Sequence, residues 1–184
     1  MSCLISVCSC FSSDKTEGVS GFAAFESAIS DASSSSVVVT VKNITELGEL
    51  NSKYEVYFNE DNTATVKYYY ERFYEIGEGP DGETVKRAEG TVYRDAAGNY
   101  SENLGVDVST VTAAAAFNIT SLKTIANVND SSDVLTATVP KMSAPAVFGR
   151  AFGGNVDFKM VLRGGKLSSM TLISSDKEIT YSYS

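Results

Sequence analysis

The feature that most limits what this chain can fold into is a hydrophobic period of two, sustained in long runs and broken by short turns. Residues 63–76 alternate throughout. Val66, Tyr68, Tyr70, Arg72, Tyr74 and Ile76 fall on one side, and Lys67, Tyr69, Glu71, Phe73 and Glu75 on the other. A strand that long is about twice the usual ~5–6 residues and must twist and curl. Val37, Val39 and Val41 alternate in the same way before it, as do Tyr54, Val56 and Phe58, and residues 84–95 supply a partner after it. At the carboxyl end Val156, Phe158, Met160 and Leu162 alternate with Asp157, Lys159 and Arg163. The turn Gly164-Gly165 then leads into 167–174, and Ile179, Tyr181 and Tyr183 return on one face. Short connections pair strands antiparallel, so the pattern predicts two meanders of seven or eight strands in all.

Helical signals fall at three places. Phe22, Phe25, Ile29 and Ala32 make one apolar stripe over residues 19–32. Residues 118–127 predict a short helical turn, and the alanine-rich 111–117 reads as either helix or strand. Ala144 to Phe152 predicts a helix with Pro145 in its first turn and Gly153-Gly154 closing it. The expected fold is α+β: a strongly curved antiparallel sheet, an unclosed half-barrel, with an N-terminal helix and short helices over its concave face. The 184 residues divide into a segment and tether over 1–17 and one β-rich domain over 18–184.

All three cysteines, Cys3, Cys8 and Cys10, lie in the first ten residues, which rules out a disulfide framework for the domain. The apolar stretch from Leu4 to Phe11 gives way to the polar 12–18, and Val7-Cys8-Ser9-Cys10 resembles the end of a bacterial lipoprotein signal peptide. The resemblance implies lipidation of Cys10. No Lys or Arg precedes Lys15, and the other reading is a polar terminus with incidental thiols. No later stretch approaches the ~20 apolar residues of a membrane span.

Much chemistry is excluded by composition. The chain has no histidine, which removes Ser-His-Asp and Cys-His devices and histidine-based zinc sites. The formal charge of -8 argues against nucleic acid as a partner. Gly77-Glu78-Gly79-Pro80-Asp81-Gly82 matches G-x-G-x-x-G on paper, but it joins two strands and carries acids that repel phosphate. The acidic turns lack calcium-ligand spacing, so neither cofactor nor metal is expected, and no carboxylate pair is singled out for hydrolysis. The aromatic run 68–74 reads as cross-strand packing, as the wall of a lipophilic cavity, or as an outer platform for glycan or peptide.

From Val19 to Ser184 the order of elements resembles the lipoprotein-carrier superfamily typified by LolA, LolB and the mycobacterial LppX-type lipoproteins. The likeness rests on the Phe22/Phe25/Ile29 helix, the meander from Val37 to Asp95, the Ala144–Phe152 helix after Val134–Val139, and the closing hairpins. It implies a non-enzymatic, extracytoplasmic cell-envelope lipoprotein, anchored to the membrane by an N-terminal lipid, with a lipid or acyl chain in its cavity. Candidate wall residues are Phe58, Tyr68, Tyr70, Tyr74, Phe158, Met160 and Leu162. The alternative is a cell-surface structural or protein/glycan-binding module whose core is filled by Phe22, Phe25, Phe148 and Phe152.

Overall fold

The structure, a computed structural model, describes residues 21–32, 35–61, 63–74, 79, 83–101, 117–125 and 128–184. The three cysteines, the 1–17 tether, Ile76, most of the 77–82 loop and the ambiguous 111–116 lie outside the described residues.

Among the described residues nine antiparallel strands form one open sheet, curved as an unclosed half-barrel. In chain order they are β1 (Val37–Thr45), β2 (Gly48–Phe58), β3 (Ala64–Phe73), β4 (Val85–Arg94), β5 (Val128–Asp130), β6 (Val134–Val139), β7 (Val156–Arg163), β8 (Lys166–Ile173) and β9 (Lys177–Tyr183). The spatial order is β4-β3-β2-β1-β9-β8-β7-β6-β5. The two meanders therefore meet where β1 pairs with β9, with Val39 opposite Tyr181.

The period of two becomes cross-strand rows on the inner face. One row reads Gly90–Tyr68–Tyr54–Val39–Tyr181–Met170–Met160–Leu135 across eight strands. The next reads Ala88–Tyr70–Ser52–Val41–Ile179–Leu172–Phe158–Ala137. The outer face carries Lys53, Glu55, Tyr57, Lys67, Tyr69 and Glu71, charged or hydroxylated side chains that keep their contact with water.

Helix α1 (Gly21–Ala32) lies against β8, burying Phe25, Ala28 and Ala32, with Phe22 and Ile29 half-buried at the flanks. Helix α2 (Ile119–Lys123) is capped by the Asn118 side chain, which accepts from the Ser121 N–H, and it buries Ile119 and Leu122. A 3-10 turn (Lys141–Ser143) leads into α3 (Ala144–Phe148). This last helix is shorter than its sequence predicts. Gly149, at φ 67°, takes the left-handed conformation and ends it five residues before Gly154.

Two other expectations need correction. The described residues form nine strands, the additional one being the three-residue β5 at the edge. Strands β1 and β2 also run further than their apolar runs, through the polar 42–53, and meet in the Thr45–Gly48 hairpin.

Candidate functional site

The seven predicted wall residues do not form one wall. Phe158, Met160 and Leu162 on β7 are all buried, with 2%, 0% and 3% of their surface exposed. The Phe158 ring stacks on Phe117 at 5.1 Å and lies 5.6 Å from Phe148, which meets Phe152 edge-on at 5.8 Å. Four phenylalanines thus fill the space between β7 and the short helices. This half of the concavity is packed.

Phe58, Tyr68 and Tyr70 behave differently. They sit on the inner face of the β2–β4 wing and are half-buried. Tyr68 is five strands from Met160 along its row, ~24 Å at the usual strand spacing. Tyr68 and Tyr70 stack at 5.9 Å with 24° between their planes. Tyr68 lies across Gly90, where a Cβ would come within 2.7 Å of its hydroxyl oxygen. The Arg94 guanidinium stands 5.9 Å over the Phe58 ring. Beside these rings on the same face runs the row Val56–Val66–Val92, which is fully buried.

Tyr74 does other work. It lies just past β3, donates to Glu83 Oε2 at 3.3 Å, and its N–H donates to the Thr84 carbonyl, which ties the β3–β4 connection together. Burial and the Glu83 carboxylate both raise its pKa. Arg72, which alternation assigns to the same side as Val66, Tyr68 and Tyr70, is exposed near the end of β3 and faces Lys86 across the ladder.

Sequence reasoning did not single out the hydroxyls beneath the wing. Ser52 is 7% exposed and Tyr54 is 0% exposed, both on the inner face of β2. Burial pushes the Tyr54 hydroxyl up to about 12, against a smaller opposing pull from Ser52. Burial raises Tyr183 as well. Such phenols stay protonated at neutral pH, so they can donate a hydrogen bond to a polar group but cannot serve as a base. The signal that could have found them was alternation itself, since Ser52 and Tyr54 keep the parity of Val56.

On the outer face, Glu71 clamps three strands. It accepts from Tyr69 Oη at 2.7 Å, from the Asn51 N–H at 2.9 Å and from Arg87 Nε at 3.2 Å. The Tyr69 hydrogen bond, followed by the Asn51 N–H, holds its carboxyl below the usual range. A groove of about 540 Å³ lies between the C-terminal turn of α1 and the β7–β8 hairpin, lined by Ala28, Asp31, Arg163, Lys166, Leu167 and Tyr183 among others. None of the seven predicted wall residues lines it. Among the described residues no group of three or more acids or cysteines could hold a metal ion, and no helix is long and apolar enough to cross a membrane.

These residues define an open, curved antiparallel sheet, packed by helices over one half and carrying a tyrosine-lined wing on the other. Among solved structures the chain has a distant structural resemblance to LprF from Mycobacterium bovis, at 11% identity and a TM-score of 0.44, covering 89% of this chain and 91% of that one. No family model matches the sequence, and no curated protein matches it.

Proposed function

We propose that the chain is a non-enzymatic domain of the cell envelope, outside the cytoplasm, that takes the apolar part of a lipid or acyl chain against the wing of β2, β3 and β4. Phe58, Tyr68 and Tyr70 are its contact residues. The observation that carries this reading is the half-burial of the stacked Tyr68–Tyr70 pair on a concave face whose β7 side is packed. Aromatic rings next to buried valines offer an acyl chain an apolar bed, and tyrosine hydroxyls at the rim suit a polar head group. Each methylene buried contributes ~0.8 kcal/mol, so a dozen suffice for useful affinity without a charged site. The reading includes membrane attachment through a lipid on Cys10, for which the support is the cysteine cluster and the polar stretch after it.

A second reading has its own observation. The Phe117–Phe158–Phe148–Phe152 cluster fills half of the concavity, as a surface module without a ligand would. Native mass spectrometry of protein purified from membranes separates the two. A co-purified lipid, lost in Tyr68→Ala/Tyr70→Ala, supports the wing. Repeated absence of lipid, with no binding of a fluorescent fatty acid, removes it and leaves the surface module. Intact mass of the membrane fraction tests the anchor, which a mature species lacking a diacylglyceryl adduct would sink.

A further inference from the structure

The two ends of the sheet differ in the apolar side chains that they expose. At one end lie the turns after β2, β4, β5 and β7, and they present Glu60, Asp61, Asp95 and Asp133, or in the β7–β8 hairpin Arg163 and Lys166. No large apolar side chain is exposed in the described residues of those turns. At the other end lie the β1–β2 hairpin, the β3–β4 connection, the β8–β9 turn and the 3-10 turn after β6, and these turns carry acids too, among them Glu46, Glu83 and Asp176. Here Leu47 is 78% exposed and Met142 89%, with Ile44 and Ile173 beside them at 40% and 48%. The remaining exposed large side chains of this kind, Tyr57 and Tyr93, lie within strands on the outer face.

Hydrogen bonds join the apolar turns into one rim. The Ile44 N–H donates to the Asp176 carbonyl at 2.8 Å, which ties the β1–β2 hairpin to the β8–β9 turn. The Gly154 N–H donates to Ser174 Oγ at 3.1 Å, and the Lys141 N–H donates to Asn155 Oδ1 at 3.1 Å, carrying the connection on to the Met142 turn. From β1 to β6 the rim crosses four strand spacings, ~19 Å. The start of α1 lies on this side too. Glu26 pairs with Lys123 of α2, whose ammonium also stands 5.3 Å over the Phe22 ring, and the Asn118 N–H beside α2 donates to Val147 of α3.

We propose that this rim is a membrane-contact surface, with Leu47 and Met142 inserted into the acyl region of a zwitterionic bilayer. Side chains that stand so far out of their turns need a partner that requires no complementary pocket, and a fluid lipid phase is one. A protein partner or a second copy would be met instead by a contiguous, well-packed patch. Charges on the rim are of both signs, with Lys42 paired to Glu49 at 2.8 Å, Lys177 between Asp176 and Glu178 in sequence, Glu46 beside Leu47 and Lys141 beside Met142, so no basic cluster calls for anionic lipid. The turns after β2, β4, β5 and β7, which expose no large apolar side chain, face away from the membrane in this orientation. The surface does not depend on whether a ligand occupies the wing.

The chain contains no tryptophan, so a single one reports its own position. The test uses the full chain carrying Cys10→Ser, which removes any attached lipid, with Leu47→Trp, Met142→Trp or, at the opposite end of the sheet, Ala97→Trp. With phosphatidylcholine vesicles, L47W and M142W shift their emission to the blue and are quenched by lipids brominated on the acyl chains, while A97W does neither. Leu47→Asp/Met142→Asp, with an unchanged thermal melt, lowers vesicle co-sedimentation at least tenfold. Equal quenching at all three positions, or none, overturns the proposal. A blue shift that grows with protein concentration in the absence of vesicles also overturns it, in favour of self-association. Lipid found by native mass spectrometry without insertion would keep the wing and remove the rim.

Discussion

Phe158→Ala separates a packed core from a cavity wall. Phe158 is 2% exposed, with Phe117 stacked at 5.1 Å, Phe148 at 5.6 Å, and Leu172 and Ala137 as its cross-strand neighbours. Truncating a buried phenylalanine removes its transfer free energy and leaves a void, a loss of ~3–5 kcal/mol. The ring contacts place Phe158 in the upper part of that range, since each aromatic pair adds ~0.5–1.5 kcal/mol beyond burial. A loss of ~4 kcal/mol is a large part of the ~5–15 kcal/mol that holds a domain together. It should lower Tm by about 8–16 °C in a domain of this size. Urea denaturation followed by circular dichroism gives the free energy, with an unchanged m-value showing that the unfolded state is unaltered. Had Phe158 lined an open cavity, one side of its ring would already lack partner atoms, and truncation would cost well under half as much. A measured loss below ~1.5 kcal/mol therefore refutes the packing argument. Tyr68→Ala, on the half-buried wing, is the internal control and should cost ~1 kcal/mol.

Three further outcomes follow from single contacts. Glu71 is more acidic folded than unfolded, so its stabilisation is present above the unfolded value of about 4.3 and is lost as pH falls through the depressed folded pKa. Urea midpoints of Glu71→Gln should thus fall less steeply than those of the parent below that pH, and parallel curves would refute the clamp. Tyr54 has the opposite sign: its stabilisation is complete below about 10, the ordinary tyrosine value, and declines as pH rises towards its folded value of about 12. Tyr54→Phe should delete one late-titrating phenol from the tyrosinate absorbance curve, and an unchanged late step would contradict its burial. Gly90→Val should cost ~1 kcal/mol or more by driving Tyr68 off its bed, yet be neutral or stabilising in a Tyr68→Ala background. Equal effects in both backgrounds would show that the two residues do not touch.

The sequence made the strands legible because parity is local. The inner positions Val66, Tyr68 and Tyr70, or Phe158, Met160 and Leu162, follow from which residues alternate, and both sets lie on the concave face. Parity carries no information on depth. Phe158 and Tyr68 occupy equivalent positions in their rows, yet one is enclosed by Phe117 and Phe148 and the other is half-open. That difference depends on where helices from distant parts of the chain land. The polar 42–53 shows a second limit. Cross-strand pairs such as Lys42 with Asn51 and Asn43 with Leu50 are held by the ladder, with Leu50 and Ser52 the buried side chains of β2 there, too few to mark a strand by hydrophobicity. Arg72 failed for a related reason, since alternation assigns a face but not the point at which the face runs out into solvent.

The dimensions of the elements explain why the described helices leave an opening on one wing. Nine strands at the usual spacing make a sheet ~38 Å across. The twelve residues of α1 give a rod of ~18 Å, and α2 and α3, at five residues each, give ~8 Å apiece. With α1 committed to β8, and with α2 and α3 tied together through Asn118 and Val147 over the Phe158 cluster, these helices cover one half of the concavity. On the other half, stacking of Tyr68 on Tyr70 and of Tyr68 over Gly90 lets large rings shield the strands themselves. Tyrosine suits that position better than phenylalanine, because its ring removes apolar surface from water while its hydroxyl remains at the rim. If that is why the residues are tyrosines, Tyr68→Phe/Tyr70→Phe should keep the melting temperature within a few degrees while weakening the hold on a lipid's head group. A double variant that binds a long-chain alkane and a fatty acid in the same ratio as the parent would show that the hydroxyls play no part.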